Sequence, residues 1–375
     1  MKEKVFYPDY SNSILGIPNS ILKYCGVEPL HKTNDILDRY LKKEYQNVVF
    51  MLFDGMGTEC IEKNLDKDNS LFIANKRADL SSVFLSTTTA ATTSLVSALS
   101  PIEHGWLGWS CYFSEIGKLI NIYINDDGEK SDNIPVADYI VAEKYMPFRS
   151  VFEIINEQSK EIEACSVSKF GTVKIQELDE LFQKTKELCS DDKRRYIYTY
   201  WGDPDGVIHY TGCDDYRVKW TVMDIEKRVA QLAKNTQNTL FIVSADHGLT
   251  DCSVHAIEDY PEIESCLRLP IALEPRCISF YIKEGMTDEF VRHFKKHFAD
   301  KFILYTKDEF IQNGFLGPGQ PHTKSMDFVG DIVAVAVDDT GIWYRSAHPE
   351  MYKGMHAGMT EKEMKVPLII FESET

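Results

Sequence analysis

The sequence predicts an α/β protein: a largely parallel central sheet flanked by helices, with a small α+β cap as an insertion. Three observations lead there. Short apolar runs rich in β-branched residues alternate with helix-like stretches, as in a sheet covered on both faces. Three of those runs end in an Asp followed by a Gly-containing turn. The stretch 252–350 breaks the alternation, and a strand-like run resumes near the C-terminus. A length of 375 residues gives a soft expectation of about two to three domains. We divide the chain into a catalytic domain of 1–251 with 351–375 and a cap insertion of 252–350.

The elements follow in chain order. Asn47 to Phe53 (NVVFMLF) is a buried strand ending at Asp54-Gly55-Met56-Gly57. Helices are expected over Ala137 to Gln158 and over Val173 to Cys189. Tyr196 to Trp201 (YIYTYW) is a second strand, ending at Gly202-Asp203-Pro204-Asp205. Tyr216 to Asn235 reads as a helix with Val218, Val222, Ile225, Val229 and Leu232 on one face. Thr239 to Ser244 (TLFIVS) is a third strand, ending at Ala245-Asp246-His247-Gly248, and Val366 to Phe371 is a fourth. In the insertion, Cys277 to Ile282 reads as a strand and Thr287 to Asp300 as a helix N-capped by Thr287. Asp331 to Val337 and Gly341 to Arg345 read as a hairpin across Asp338-Asp339-Thr340. Gly314 to Gln320 is expected as a loop bordering the site. Open parallel sheets bind ligands beyond the carboxyl ends of their strands. Asp54, Asp205 and Asp246 should therefore converge on one edge.

Charge narrows the partners. Against 58 acidic residues stand 41 basic ones, a net charge of −17 with no Lys/Arg block, so no nucleic-acid partner is indicated. An anionic small molecule fits such a chain if a cation sits in the site. With 20 Phe, 19 Tyr and 5 Trp, disorder is excluded. The start MKEKVFYPDY lacks the apolar core of a signal peptide. No apolar run approaches the ~18–20 residues that span a bilayer. The 9 scattered cysteines form no CxxC pair, which fits reduced thiols rather than disulfides or Cys-based zinc sites. We therefore expect a cytoplasmic protein with no membrane partner; its oligomeric state leaves no signature.

The residues suited to chemistry are Asp54, the Thr87 to Thr93 segment, Asp205 with His209, Asp246 with His247, and His356. Carboxylates and imidazoles ligate zinc, usually four donors per ion. Six such side chains and one hydroxyl suffice for two ions with a position left open. Two metals ~3.5–4 Å apart clamp a displacement at phosphorus. Asp205 and His209 are four residues apart, which puts both on one side of a helical turn. Adjacent Asp246 and His247 can reach different ions, because successive side chains of an extended chain point opposite ways. The STTTAATTS run reads as a helix start whose hydroxyls cap free N–H groups, and such a terminus also suits a phosphoryl anion. Taken singly, a strand-closing Asp is a common turn former and a lone His a common core residue. His293-x-x-x-His297, with Lys295 and Lys296 between, reads as a solvated helix face. His255, His322 and His348 read as surface residues, and Trp106, Trp109 and Tyr112 as core. No P-loop or dinucleotide fingerprint is present.

Five segments in order resemble the alkaline phosphatase superfamily, in its nucleotide pyrophosphatase/phosphodiesterase branch. They are VVFMLFDGMG, TTTAATTSLVSALSPIEHG, PDGVIHYTG, LFIVSADHG and MHAGMTEKEMKVPLI. The resemblance implies an alkaline phosphatase-like fold and two divalent metal ions, Zn2+ at both positions with Mn2+ as the alternative. It implies Asp54, Thr88, Asp246 and His247 as ligands of one ion, and Asp205, His209 and His356 as ligands of the other. Thr88 would be the nucleophile, forming a phospho-threonine. Counting back from Pro101-Ile102-Glu103-His104-Gly105 selects Thr88, with Thr89 as runner-up. Two features depart from the family pattern. Thr88-Thr89-Ala90-Ala91 stands where nucleotide-cleaving members read Thr-Phe-Pro-Asn, and Ile208 stands where the Asp205 block has Gly. No cysteine lies in the Cys-x-Pro-x-Arg context of sulfatases. The expected activity is metal-dependent hydrolysis of a small-molecule phosphate ester, at phosphodiester or nucleotide pyrophosphate bonds. The alternatives are a phosphomonoesterase or a phosphonate hydrolase of the phosphonoacetate type, a phosphomutase-like transferase and, from another class, a non-catalytic phosphoryl-ligand binding protein.

Overall fold

The computed structural model describes residues 5–130 and 132–373. Asn47–Phe53 is buried along its whole length, the mark of a strand covered on both faces. It runs parallel between Thr239–Ser244 and Arg194–Trp201. The full sheet has seven strands, in the order Lys76–Ser81, Lys365–Glu372, Thr239–Ser244, Asn47–Phe53, Arg194–Trp201, Ile162–Ser168 and Val173–Lys174. Lys365–Glu372 alone is antiparallel to both its neighbours. Helices Gly16–Tyr24, Thr88–Ser97 and Val151–Gln158 pack together as one covering group. Thr58–Asn64, Leu71–Asn75, Leu178–Leu188 and Tyr216–Lys234 form another. Tyr216–Lys234 buries the predicted stripe of Val218, Val222, Ile225, Val229 and Leu232. Among the described residues no helix is long and apolar enough to cross a membrane.

A second seven-stranded sheet runs Phe302–Thr306, Ile332–Ala336, Cys277–Phe280, Ala272–Glu274, Ser110–Phe113, Lys118–Asn121 and Asp126–Asp127. Its outer face is covered by Thr287–Phe298, whose Phe290, Phe294 and Phe298 recur every four residues and pack with Phe280 and Phe302. Three of these strands come from 110–127, so the 252–350 segment shares its sheet with residues assigned by sequence to the catalytic domain. One fully buried ion pair ties this sheet to the C-terminal segment. Arg276 Nε and Nη2 donate to Glu363 Oε1 and Oε2 at 2.6 and 2.8 Å, and both side chains are 0 % exposed.

Several local expectations are corrected. The helix expected over Ala137 to Gln158 splits into Val141–Tyr145 and Val151–Gln158. Pro147 lies between, where proline disfavours helix both at itself and just before, and a Ser150/Glu153 capping box restarts the chain. Val173–Lys174 is an edge strand, and the helix begins only at Leu178. Thr287 is the first helical residue; Met286 holds the cap position without a side-chain bond. The expected hairpin does not form. Ile332–Ala336 is buried at every residue and pairs with strands on both edges. Thr340–Trp343 instead joins Ser253–Ala256 in parallel. The strands at Lys76–Ser81 and Ile162–Ser168 were not foreseen.

His104 gives the fold a testable pH response. It is buried after the Thr88–Ser97 helix, with Nε2 3.0 Å from Ser94 Oγ and Nδ1 accepting from Trp106 N at 3.0 Å. Burial pushes its imidazole down to about 3. A depressed folded-state pKa means the unfolded chain binds the extra proton first. The contribution is complete above the ordinary imidazole value and is lost as pH falls from there toward 3. That slope is worth at most about 1.4 kcal/mol per pH unit. Urea melts between pH 7 and 4 should show it, and His104→Asn should flatten it. An unchanged slope in the variant would dissociate the effect from His104.

Candidate metal centre

Three adjacent parallel strands deliver the acidic groups. Asp54 follows Asn47–Phe53 directly, Asp246 lies two residues beyond Thr239–Ser244, and Asp205 opens the helix Asp205–Thr211 after Arg194–Trp201. The Asp205 amide donates to Asp54 O at 2.9 Å, which joins two of the strand ends. Gly55 permits this approach. Its φ is +69°, and a Cβ there would lie 2.9 Å from Asp205 Cα and 2.5 Å from Leu249 Cδ1. Gly248 is equally constrained, since a Cβ would fall 2.1 Å from Lys362 O. His209 follows Asp205 by one helical turn. His356 arrives from the Gly354–Met355 strand, which pairs with Thr250–Asp251.

The side chains gather as two groups, Asp54 with Asp246 and His247, and Asp205 with His209 and His356. Within each, the ligand atoms lie within 4.8 Å of one another. The His247 and His356 rings stack at 4.0 Å and connect the groups. Thr88 Oγ1 joins the first, 3.3 and 3.4 Å from the Asp54 oxygens and 3.2 Å from His247 Nε2. The neighbouring threonines do not share this position. Thr87 Oγ1 donates to Glu274 Oε1 at 2.6 Å, and Thr89 Oγ1 is buried without a partner among the described residues. The expected capping is therefore absent: Thr87 occupies the N-cap with no side-chain bond to the helix. Its hydroxyl is drawn to the buried Glu274 carboxylate instead.

Each donor is held from behind, as second-shell bonds hold metal ligands. His209 Nδ1 meets Gly354 O at 2.8 Å and His247 Nδ1 meets Gly248 O at 3.1 Å. Those contacts hold Nδ1 as the protonated nitrogen and turn both Nε2 atoms to the site, where an ion that displaces the His209 Nε2 proton would find a lone pair. Asp246 Oδ1 accepts from Gly55 N and His247 N at 3.1 and 2.9 Å, and Tyr200 OH donates to Asp54 Oδ2. The buried atoms Asp246 Oδ2, Asp205 Oδ1 and His356 Nδ1 have no hydrogen-bond partner among the described residues.

Electrostatics agree with a site built around cations. Burial, then the Asp246 and Asp205 carboxylates, hold the Asp54 carboxyl well above its usual range. Burial pushes Asp246 up to about 7. At Asp205 burial acts upward as well, but the His209, His356 and His247 imidazoles outweigh it and hold the carboxyl low. Burial alone would lower His209; the Asp205 carboxylate lifts it to about 9. Burial and the His247 ring keep His356 well below the imidazole range. Buried carboxylates in this number are costly without a cation. The donor chemistry, the orphaned atoms and the fixed tautomers fit divalent ions with oxygen and nitrogen ligands.

The groups open on a cleft of about 400 Å³ between the two sheets, lined by Thr88, Asp205, His209, Trp109, Glu274 and Trp343 among others. The Gly314 to Gln320 loop, expected beside the site, packs elsewhere: Gly317 lies on Ser100 and Tyr10, and Gly319 on Glu103. His297 pairs with Glu262 at 2.7 Å and His293 with Glu289 at 3.4 Å, so neither faces the other as a ligand pair. Trp106 is core, while Trp109 is half-exposed and lines the cleft. Sequence reasoning missed Tyr200 and Glu274. Tyr200 is one of three alternating tyrosines, with nothing local to single it out. Glu274 had a signal, a lone acid in the apolar stretch PIALEPRCISF.

The fold is that of the alkaline phosphatase superfamily. The profile of the type I phosphodiesterase / nucleotide pyrophosphatase family matches residues 48–359. The chain belongs to that family. Human ectonucleotide pyrophosphatase/phosphodiesterase family member 5 is 27% identical over 143 residues, 36% of this chain and 28% of that protein. The match thus spans under a third of the curated relative's length. The solved murine ectonucleotide pyrophosphatase/phosphodiesterase 5 superposes with a TM-score of 0.63 at 18% identity, covering 87% of this chain and 89% of that one. Phosphonoacetate hydrolase from Sinorhizobium meliloti 1021, in complex with phosphonoformate, superposes with a TM-score of 0.63 at 15% identity, covering 86% and 89%.

Proposed function

We propose that the protein is a two-metal phosphodiesterase that works through a phospho-threonine at Thr88. The observation that carries this reading is the position of Thr88 Oγ1, set against Asp54 and His247 at the open side of the cleft. Asp54, Asp246 and His247 with Thr88 would hold one ion, and Asp205, His209 and His356 the other. Such ions supply charge that stabilises phosphoryl oxygens and lowers the pKa of a nearby nucleophile. The protein does the positioning. Thr88 begins its helix, so the uncapped N–H groups of the first turn present a positive end to the phosphoryl group. Thr88 Oγ1 bonds to phosphorus as one ester oxygen departs with its electron pair and gains a proton. Water then attacks phosphorus, the P–Oγ1 bond breaks, and the phosphomonoester leaves. An inactive threonine-to-alanine variant of the murine neighbour has been solved in complex with AMP, which supports a threonine-dependent reaction. The second sheet, in this reading, is the cap that contacts the organic part of the substrate. The cytoplasmic assignment belongs to the same proposal and is supported by nine cysteines, all free.

The test pairs metal content with hydrolysis of bis-p-nitrophenyl phosphate and p-nitrophenyl phosphate. About two ions per chain and faster turnover of the diester are expected. His209→Ala should lose about one ion, because its group keeps only two donors. Loss of both ions, or of none, would overturn the division into two sites. Faster monoester turnover would replace the diesterase reading with a phosphomonoesterase.

A further inference from the structure

We propose that the cleft accepts an uncharged or cationic organic arm on the phosphodiester, and that Glu274 is the specificity-determining residue that turns away a second negative charge. The inference rests on the phosphodiesterase reading and adds the substrate class. Glu274 ends the Ala272–Glu274 strand of the second sheet, is 3% exposed, and lines the cleft beside Thr88. Its Oε1 accepts from Thr87 Oγ1 at 2.6 Å and from Trp109 N at 2.7 Å. Among the described residues none donates to Oε2. A second buried acid, Asp126, lines the same cleft, with Asn121 Nδ2 at 2.8 Å and Asn133 N at 2.9 Å as its donors.

No Lys or Arg lines the cleft among the described residues. The cations on this part of the second sheet are engaged elsewhere: Lys118 and Lys130 meet Asp127 at 3.2 and 3.8 Å. Charge balance sharpens the point. Two divalent ions set against Asp54, Asp205 and Asp246 leave a single positive charge, which one phosphodiester anion neutralises. A carboxylate or further phosphate on the arm would then face Glu274 and Asp126 with nothing to offset it. Like charges brought together in this way disfavour the wrong partner strongly. Trp109 and Trp343, which also line the cleft, suit neutral or cationic arms.

A matched series tests this. Three p-nitrophenyl phosphodiesters carry a 2-trimethylammonioethyl, a 2-hydroxyethyl or a 2-carboxyethyl arm. The metal-loaded wild type is assayed at about pH 8, above the value of about 7 to which burial pushes the Glu274 carboxyl. The same three esters are titrated calorimetrically into metal-loaded Thr88→Ala. The carboxyethyl ester is expected to show kcat/KM and affinity about tenfold or more below the hydroxyethyl ester. The trimethylammonioethyl ester should equal or exceed it. Glu274→Gln should narrow the spread between the charged arms, and Asp126→Asn offers the same comparison if Glu274→Gln fails to fold. Hydrolysis or binding of the carboxyethyl ester equal to or better than the others would overturn the inference while leaving the diesterase reading intact. Binding in the expected order with no hydrolysis by wild type would sink the diesterase reading alone. No binding of any ester would sink both.

Discussion

Thr88→Ala is expected to cut turnover of bis-p-nitrophenyl phosphate by about 10³-fold or more with near-complete retention of metal and fold. The retention follows from where Thr88 sits. It is a half-buried first residue of a helix, and among the described residues its hydroxyl bonds to Asp54 and His247. Alanine is the best helix former, so the substitution removes an oxygen and little else. All six carboxylate and imidazole donors remain and keep both groups able to bind. A pure loss of substrate affinity would appear in KM; loss of the nucleophile appears in kcat. Thr88→Ser keeps the oxygen and should recover most of the rate. Acid quench of wild type during turnover should leave phosphate on the peptide containing Thr88. Thr89→Ala is the discriminating control. Its buried hydroxyl has no partner among the described residues, so the variant should retain activity. Unchanged turnover in Thr88→Ala, or its loss in Thr89→Ala, would refute the assignment.

The convergence of the candidate residues was more legible in the sequence than the scaffold around them, for a physical reason. Asp54, Asp205 and Asp246 each close a strand whose apolar run is local and continuous, and parallel sheets gather such ends by rule. The helical spacing of Asp205 and His209 was local as well. Choosing Thr88 among three threonines needed a count along the chain, and the separation of their hydroxyls depends on Glu274, some 187 residues away. Pairings of that range leave no mark in a window of residues. The same holds for the strands of 110–127, which join a sheet begun at Ala272–Glu274. It holds for Ile332–Ala336, whose turn-like continuation suggested a hairpin although its partners are Cys277–Phe280 and Phe302–Thr306. The break inside Ala137 to Gln158 was legible at Pro147, and the apolar periodicity on either side obscured it.

The buried pair of Arg276 and Glu363 carries the second large effect. Arg276→Met is expected to destabilise the protein by about 3–5 kcal/mol, read as a lower urea midpoint at unchanged slope. The arginine reaches from the second sheet to the C-terminal segment and also donates to Asp338 O and Thr340 O at 2.6 and 3.0 Å. Its removal leaves the buried Glu363 side chain without its cationic partner, with Gly358 N and Thr360 Oγ1 as its remaining close donors at 2.7 and 2.6 Å. Glu363→Leu strands the guanidinium in the same way and should cost a similar amount. The double variant Arg276→Met/Glu363→Leu removes both charges together and should lose clearly less than the two singles combined. The pair also bears on the site. Gly358, bonded to Glu363, lies two residues after His356, and Ser86 Oγ, two residues before Thr88, donates to Gly358 O at 3.1 Å. Loosening Glu363 therefore slackens both His356 and the approach to the nucleophile. Arg276→Met should show weaker metal binding and lower kcat even at temperatures where it stays folded. Additive destabilisation in the cycle would show that the two residues act separately. Full metal affinity in a folded Arg276→Met would show that the clamp holds the two sheets together without positioning the centre between them.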